Sequence, residues 1–164
     1  MAPSSELTLR VSSAWSELIR VNQTVEQFLE ALGVAEDDTA RLTMVACELV
    51  ENAIKYGNVR KGREDVGLTL KLAEGRVVIQ VTNPVSETSR RDLRELDKTI
   101  QWTRSFQDPF EAYVERVRAI SSEPVEMRKS CLGIVRIAYE GRAALDFYLD
   151  EDGSLSVSAV STVT

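Results

Sequence analysis

The sequence predicts an α+β two-layer sandwich, in which a mixed, mainly antiparallel five-stranded sheet carries its helices on one face. Three observations lead there. Five short stretches alternate apolar with polar residues, and four of them form two pairs around hairpin turn signals. Two long stretches of helical period lie between the first strand and the first hairpin, and that period returns after it. With 164 residues and 43% hydrophobic content, the chain is the size of one core, so residues 1–164 read as a single domain.

Leu7, Leu9 and Val11 alternate with polar residues and predict a half-buried first strand. A helix follows from about Ser13 to Leu32, with Trp15, Leu18, Ile19, Val25, Phe28, Leu29 and Leu32 on one stripe. Trp15 and Phe28 are expected in the core, and Gly33 is placed to end the helix in a left-handed conformation. The second helix begins near Asp37-Asp38, where carboxylates suit the positive end of the helix dipole, and stops around Gly57-Asn58. Its apolar face is Leu42, Val45, Ala46, Leu49, Val50, Ala53 and Ile54. Arg41, Glu48, Asn52 and Lys55 fall on the other side, with Glu48 and Asn52 stacked one turn apart. Arg41 and Lys55 are read as solvating that polar face.

Between Val66 and Thr82 the period is two, with a turn at Glu74-Gly75, and Pro84 ends the second strand because proline cannot donate to the ladder. Residues 89–121 return to a helical period as two helices or one broken one. Leu93, Leu96 and Ile100 form one stripe, and Phe110, Val114 and Val117 form another, with Phe110 expected in the core. The second stripe has a well-formed start: Asp108 as N-cap, Pro109 at the first helical position and Glu111 at the third. Ser130 can cap a short helix over Cys131–Glu140 with Gly141 as its stop. A final hairpin turns at Glu151-Asp152-Gly153 between the stretches around Phe147 and Val157.

Composition removes several classes of function. A net charge of −6 lacks the basic excess that nucleic-acid binding needs. No apolar run approaches the ~18 residues of a membrane span, and Met1–Ser5 does not resemble the start of a secretory leader, so a cytoplasmic location is expected. Histidine is absent, which excludes Ser-His-Asp and Cys-His catalysis on this chain. Cys47 and Cys131 have no metal-site spacing and read as small buried residues.

Glu48-Leu-Val-Glu-Asn52-Ala, placed on the second long helix of this element order, resembles the N-box of the GHKL (histidine-kinase-like) ATPases. Within that superfamily the chain looks most like the small bacterial anti-sigma-factor-type serine/threonine kinases of partner-switching systems. The resemblance implies a Bergerat-like ATP-binding fold, with Asn52 holding Mg²⁺ against the nucleotide phosphates and Glu48 as base toward an attacking hydroxyl. An amide oxygen is a suitable hard ligand for Mg²⁺, and a carboxylate one turn away suits proton acceptance. After the strand over Val77–Val81 the family has an aspartate that reads adenine, followed by glycines. Asn83, Pro84 and Val85 stand there instead; the asparagine retains acceptor and donor capacity without the charge. Leu132-Gly133-Ile134 resembles the glycine-rich start of the helix behind the triphosphate. Ser130, Leu132 and Gly133 would then cradle phosphate at a helix N-terminus. Residues 86–130 occupy the position of the ATP lid as a helical insertion.

Two functions follow from the resemblance. The first is an ATP·Mg²⁺-dependent serine/threonine kinase whose partner resembles the STAS-type anti-sigma-factor antagonists, with the chain itself a homodimer. The alternative is a degenerate domain, without nucleotide chemistry, that acts by binding a regulatory protein. The missing glycines favour the alternative. The shape of the cleft beside Glu48 and Asn52 discriminates them: side chains of the insertion filling the nucleotide volume favour the binding module.

Overall fold

The computed structural model describes residues 5–56, 63–85, 90–122 and 132–164. In chain order the elements are β1 (Ser5–Val11), α1 (Glu17–Ala31), α2 (Glu36–Tyr56), β2 (Val66–Ala73), β3 (Arg76–Pro84), α3 (Arg90–Arg104), α4 (Pro109–Ser122), α5 (Leu132–Tyr139), β4 (Ala144–Leu149) and β5 (Ser154–Thr162).

The five strands form one sheet in the order β1-β2-β3-β5-β4. Every ladder is antiparallel, which refines the expected mixed sheet to a purely antiparallel one. Register follows the hydrophobic pattern: Leu70, Ile79, Ala159 and Leu145 lie opposite one another across β2, β3, β5 and β4, and all four are buried. The opposite side of the same strands is polar, where Gln80 donates to the Tyr148 hydroxyl at 3.2 Å and Thr82 meets Ser156 at 2.9 Å. Glu74 and Gly75 both adopt positive φ at the β2–β3 turn, the conformation a two-residue hairpin favours.

The core lies between the apolar face of the sheet and helices α1, α2 and α5, and the α2 residues Leu42, Val45, Ala46, Leu49, Val50 and Ala53 are all buried in it. Helix α1 ends as its glycine requires, with Gly33 at φ +74° and its N–H donating to Glu30 O. Its start is later than the periodicity suggests, because residues 14–16 form a turn before the helix begins at Glu17. Asp108 caps α4 as expected, accepting from Phe110 N at 2.9 Å.

Two core expectations fail. Trp15 is 54% exposed and Phe110 is 47% exposed, while Phe28 packs partly buried against the core. Periodicity aligns side chains on a stripe but does not say how far the covered part extends: Trp15 lies in the turn before α1, and Phe110 lies in the first turn of α4. Cys47 is half-buried rather than enclosed, with its thiol pushed up by burial; Cys131 lies outside the described residues. Gly141 does follow α5, but the left-handed residue is Arg142, at φ +49°. Gly141 is needed for space: a Cβ there would stand 2.4 Å from Ile137 O and 2.5 Å from Val45 Cγ2.

Candidate functional site

Part of the polar side of α2, around Glu48 and Asn52, is covered by α5. Gly133, in the first turn of α5, makes that approach feasible. A Cβ at this position would lie 2.6 Å from Glu48 Oε2 and 3.8 Å from Asn52 Nδ2. The two stacked α2 side chains and the glycine of the third motif are thus brought into direct contact.

Glu48 is partly buried and receives the Arg136 guanidinium, with Nη1 to Oε1 at 2.9 Å. Arg136 also donates Nε to Glu140 Oε2 at 2.6 Å, so its charge is shared between two carboxylates. Burial raises the Glu48 pKa, the neighbouring Glu51 charge adds to the rise, and Arg136 opposes it without cancelling it. Asn52 differs. Its amide nitrogen is shielded from solvent and has no hydrogen-bond partner among the described residues. An unpaired buried donor costs free energy, and such a group is a place where a ligand oxygen is accommodated.

Asn83 is 2% exposed on β3 and donates its amide to Pro84 O at 3.1 Å. It lines the same cavity as Asn52, together with Leu49, Ala53, Val81 and Ile134. The cavity measures only about 20 Å³, and Leu96 of α3 with Leu155 and Val157 of β5 completes its lining. That is room for about one water, whereas small-molecule and cofactor sites measure roughly 300 Å³ or more. Leu132 begins α5, and Ser130 lies outside the described residues.

The sequence reading missed three participants. Arg136 follows Gly133 by three positions on α5 and therefore shares its face, a helical spacing that marks it as a neighbour of Glu48. Leu96 carried no signal beyond its apolar stripe. Arg41, read as solvating, is instead buried: Nη2 meets Asp38 Oδ1 at 2.8 Å and Thr162 O at 2.8 Å, while Nη1 donates to Gly141 O at 2.7 Å and Ser161 Oγ at 2.6 Å. Lys55 is exposed near Glu51, at 3.9 Å, as expected.

Three sequence-distant motifs therefore converge on one cleft between α2, β3 and α5. A family model described as "Histidine kinase-like ATPase domain" matches residues 11–106, more than half of the chain. The chain belongs to the histidine kinase-like ATPase domain family. Among solved structures, this histidine kinase-like domain resembles a chain of the SiaB-SiaC complex from Pseudomonas aeruginosa, with TM-score 0.72 and 20% identity over 94% of this chain and 88% of that one. It also resembles the structure of the RsbU and RsbW domains of Rv1364c from Mycobacterium tuberculosis, with TM-score 0.58 and 12% identity. That alignment covers 99% of the histidine kinase-like chain but 33% of the Mycobacterium chain. At these identities the likeness shows the shared fold. No curated protein matches the chain. No described helix is long and apolar enough to cross a membrane.

The polar end of the cleft offers an N–H donor to an oxygen such as that of a phosphate, and the Asn52 amide oxygen is the atom that would hold a metal there. The Asn52 amide nitrogen has no partner among the described residues, and the space a side chain at Gly133 would need is taken by the Glu48 carboxylate. The apolar end, at about 20 Å³, is too small for an adenine as it stands.

Proposed function

We propose that this chain is a regulatory serine/threonine protein kinase of a partner-switching system, using ATP·Mg²⁺ to phosphorylate a partner protein. The observation that carries the reading is the contact of Gly133 with Glu48 and Asn52, where a buried amide stands unpartnered. Bound ATP·Mg²⁺ supplies the transferable phosphoryl group and a divalent charge. The chain's own residues do the rest: Asn52 would hold the metal through its amide oxygen, and Ser130, Leu132 and Gly133 would receive phosphate. Asn83 reads the adenine edge, and Glu48 accepts the proton of the incoming hydroxyl. A raised pKa improves Glu48 as a base near neutral pH, while Arg136 keeps its carboxylate oriented. Residues 86–130 act as the lid of a single domain. The SiaB-SiaC assembly, a complex of two proteins of which one shares this fold, supports a regulatory protein as partner, here proposed as STAS-like. A cytoplasmic homodimer completes the proposal.

One observation favours a second reading. With Leu96 in place the cleft holds about 20 Å³, as expected of a domain that has given up nucleotide chemistry and works as a protein-binding module. The walls favour the kinase nonetheless. Asn52, Ala53, Val81 and Asn83 line the space, and Leu96, which lines it from the inserted helix, is the side chain proposed to move aside for the nucleotide.

Calorimetric titration with ATP and Mg²⁺ separates the two readings. The expected result is saturable binding that Asn52→Ala abolishes and Leu96→Ala strengthens. Absence of binding by both the unaltered protein and Leu96→Ala overturns the kinase and leaves the module.

A further inference from the structure

A second concavity lies one turn further along α3. It has a volume of about 530 Å³ and is bounded by the C-terminal end of α3, the start of α4, the end of α5 and strand β4. We infer that this groove docks an acidic peptide segment of a partner protein that also carries one large apolar side chain. The inference rests on the reading of the chain as partner-binding, and it uses none of the polar residues of the α2–α5 cleft.

The first argument is charge. The chain is acidic overall, at −6, yet the two charged side chains that line the groove are Arg104 and Arg142. Among the described acidic groups, Asp146 stands near Arg104, at 3.9 Å and largely exposed. Arg142 is exposed, and its guanidinium makes no hydrogen bond or ion pair among the described residues. Its backbone is left-handed, at φ +49°, a conformation unfavourable for an arginine. The neighbouring structure fixes it there: Arg142 O accepts from Ser161 Oγ at 2.9 Å, and Gly141 is wedged against Ile137 O and Val45. The fold thus places an unspent cation at the rim of a concave surface, which suits a carboxylate ligand.

The second argument is the lining. Ile100, Ala143 and Leu145 supply an apolar floor, and Phe106 and Tyr139 line the groove with aromatic rings. The aromatic surface extends beyond it, since Phe110 packs on Tyr139 at 5.2 Å and Trp102 on Phe106 at 4.8 Å, with Phe110 and Trp102 both exposed. Aromatic and arginine side chains around a pocket are the usual composition of an energetic anchor for a partner's side chain. β4 is an edge strand, but Arg104 donates to Leu145 O and so occupies part of the edge that an added strand would pair with. The occupant is therefore held by its side chains, with a ring or branched aliphatic group against Phe106 and Tyr139 and carboxylates toward Arg142 and Arg104.

The test uses the full chain and a short dye-labelled peptide of Asp, Glu and Ser around a central Phe. Its companions are a peptide with Lys at the acidic positions and one with Ala at the Phe. Fluorescence polarisation should show saturable binding of the acidic peptide, with amide NMR shifts at Ala143, Ala144 and Leu145. Arg142→Glu should weaken that binding by about tenfold or more, as loss and reversal of an interfacial charge does, with the circular dichroism spectrum unchanged. Replacing the peptide's Phe should weaken it comparably. Equal binding of the acidic and basic peptides, shifts confined to other surfaces, no binding at all, or indifference to Arg142→Glu each overturns the groove. ATP·Mg²⁺ titration of the same sample reads the kinase proposal separately, so the two can fail independently.

Discussion

Two carboxylates on one helix are treated in opposite ways. Asp38, in the first turn of α2, spends both oxygens: Oδ1 on Arg41, Oδ2 on the Thr164 N–H at 3.1 Å and hydroxyl at 3.2 Å. The Arg41 hydrogen bond, helped by Thr164 and opposed by burial, holds its pKa below the usual carboxylate range. Glu48, almost three turns later, shares one arginine with Glu140, lies against Gly133, and has its pKa raised by burial and Glu51. Its neighbour Asn52 has an unspent amide. The first cluster leaves only Arg41 Nε unpaired among its buried polar atoms and ties α2 to β5; the second keeps more of its polar capacity in reserve. A buried network whose groups are nearly all satisfied contributes to a unique fold, while an unsatisfied one is held in place by the surrounding packing for another purpose.

The sharpest way to break the contrast is Arg41→Ala. It leaves the buried Asp38 carboxylate and three further acceptors without the guanidinium, so urea unfolding should show a loss on the order of 3 kcal/mol. Equal stability of the variant would remove the structural role of the first cluster. Next comes Gly133→Ala, whose methyl group meets Glu48 Oε2 at 2.6 Å and must displace it or α5. A cost of about 1–2 kcal/mol is expected, with loss of nucleotide binding in the calorimeter. Asn52→Ala should be the mildest of the three for stability, within about 0.5 kcal/mol, because the side chain it removes carries an unpaired donor. Chemical unfolding that finds it as damaging as Arg41→Ala would erase the distinction.

The smallest effect is in pH, where the two carboxylates act with opposite sign. Folded Asp38 releases its proton at lower pH than the unfolded chain, so its contribution is full above the unfolded value and fades as pH falls through the lowered folded one. Folded Glu48 keeps its proton to higher pH than when unfolded, so stability falls as pH rises from the unfolded to the raised folded value. Unfolding titrations across the acid range should therefore show Asp38→Asn flattening the acid loss and Glu48→Gln removing a decline on the rising side.

Most of the fold was legible because it follows from period and punctuation. The buried face of α2, both hairpins, the Gly33 stop and the Asp108 cap depend on residues close in sequence. Glu48 with Asn52 was legible for the same reason. Arg41 was not, since its acceptors at Gly141, Ser161 and Thr162 lie about a hundred residues away, and no local pattern announces them. Leu96 was similarly hidden: its stripe promises an apolar contact but does not name the cleft it enters. Trp15 and Phe110 show the converse, apolar periodicity extending beyond what the core covers.

Leu96 and Ile100 stand one turn apart on α3, the first closing the α2–α5 cleft and the second flooring the arginine groove. A hydrogen-bonded helix carries both as one lever, so two ligands that prefer different settings of α3 compete without touching. Thermodynamic reciprocity then requires each to change the other's affinity by the same factor, a number obtainable by repeating the peptide titration at saturating ATP.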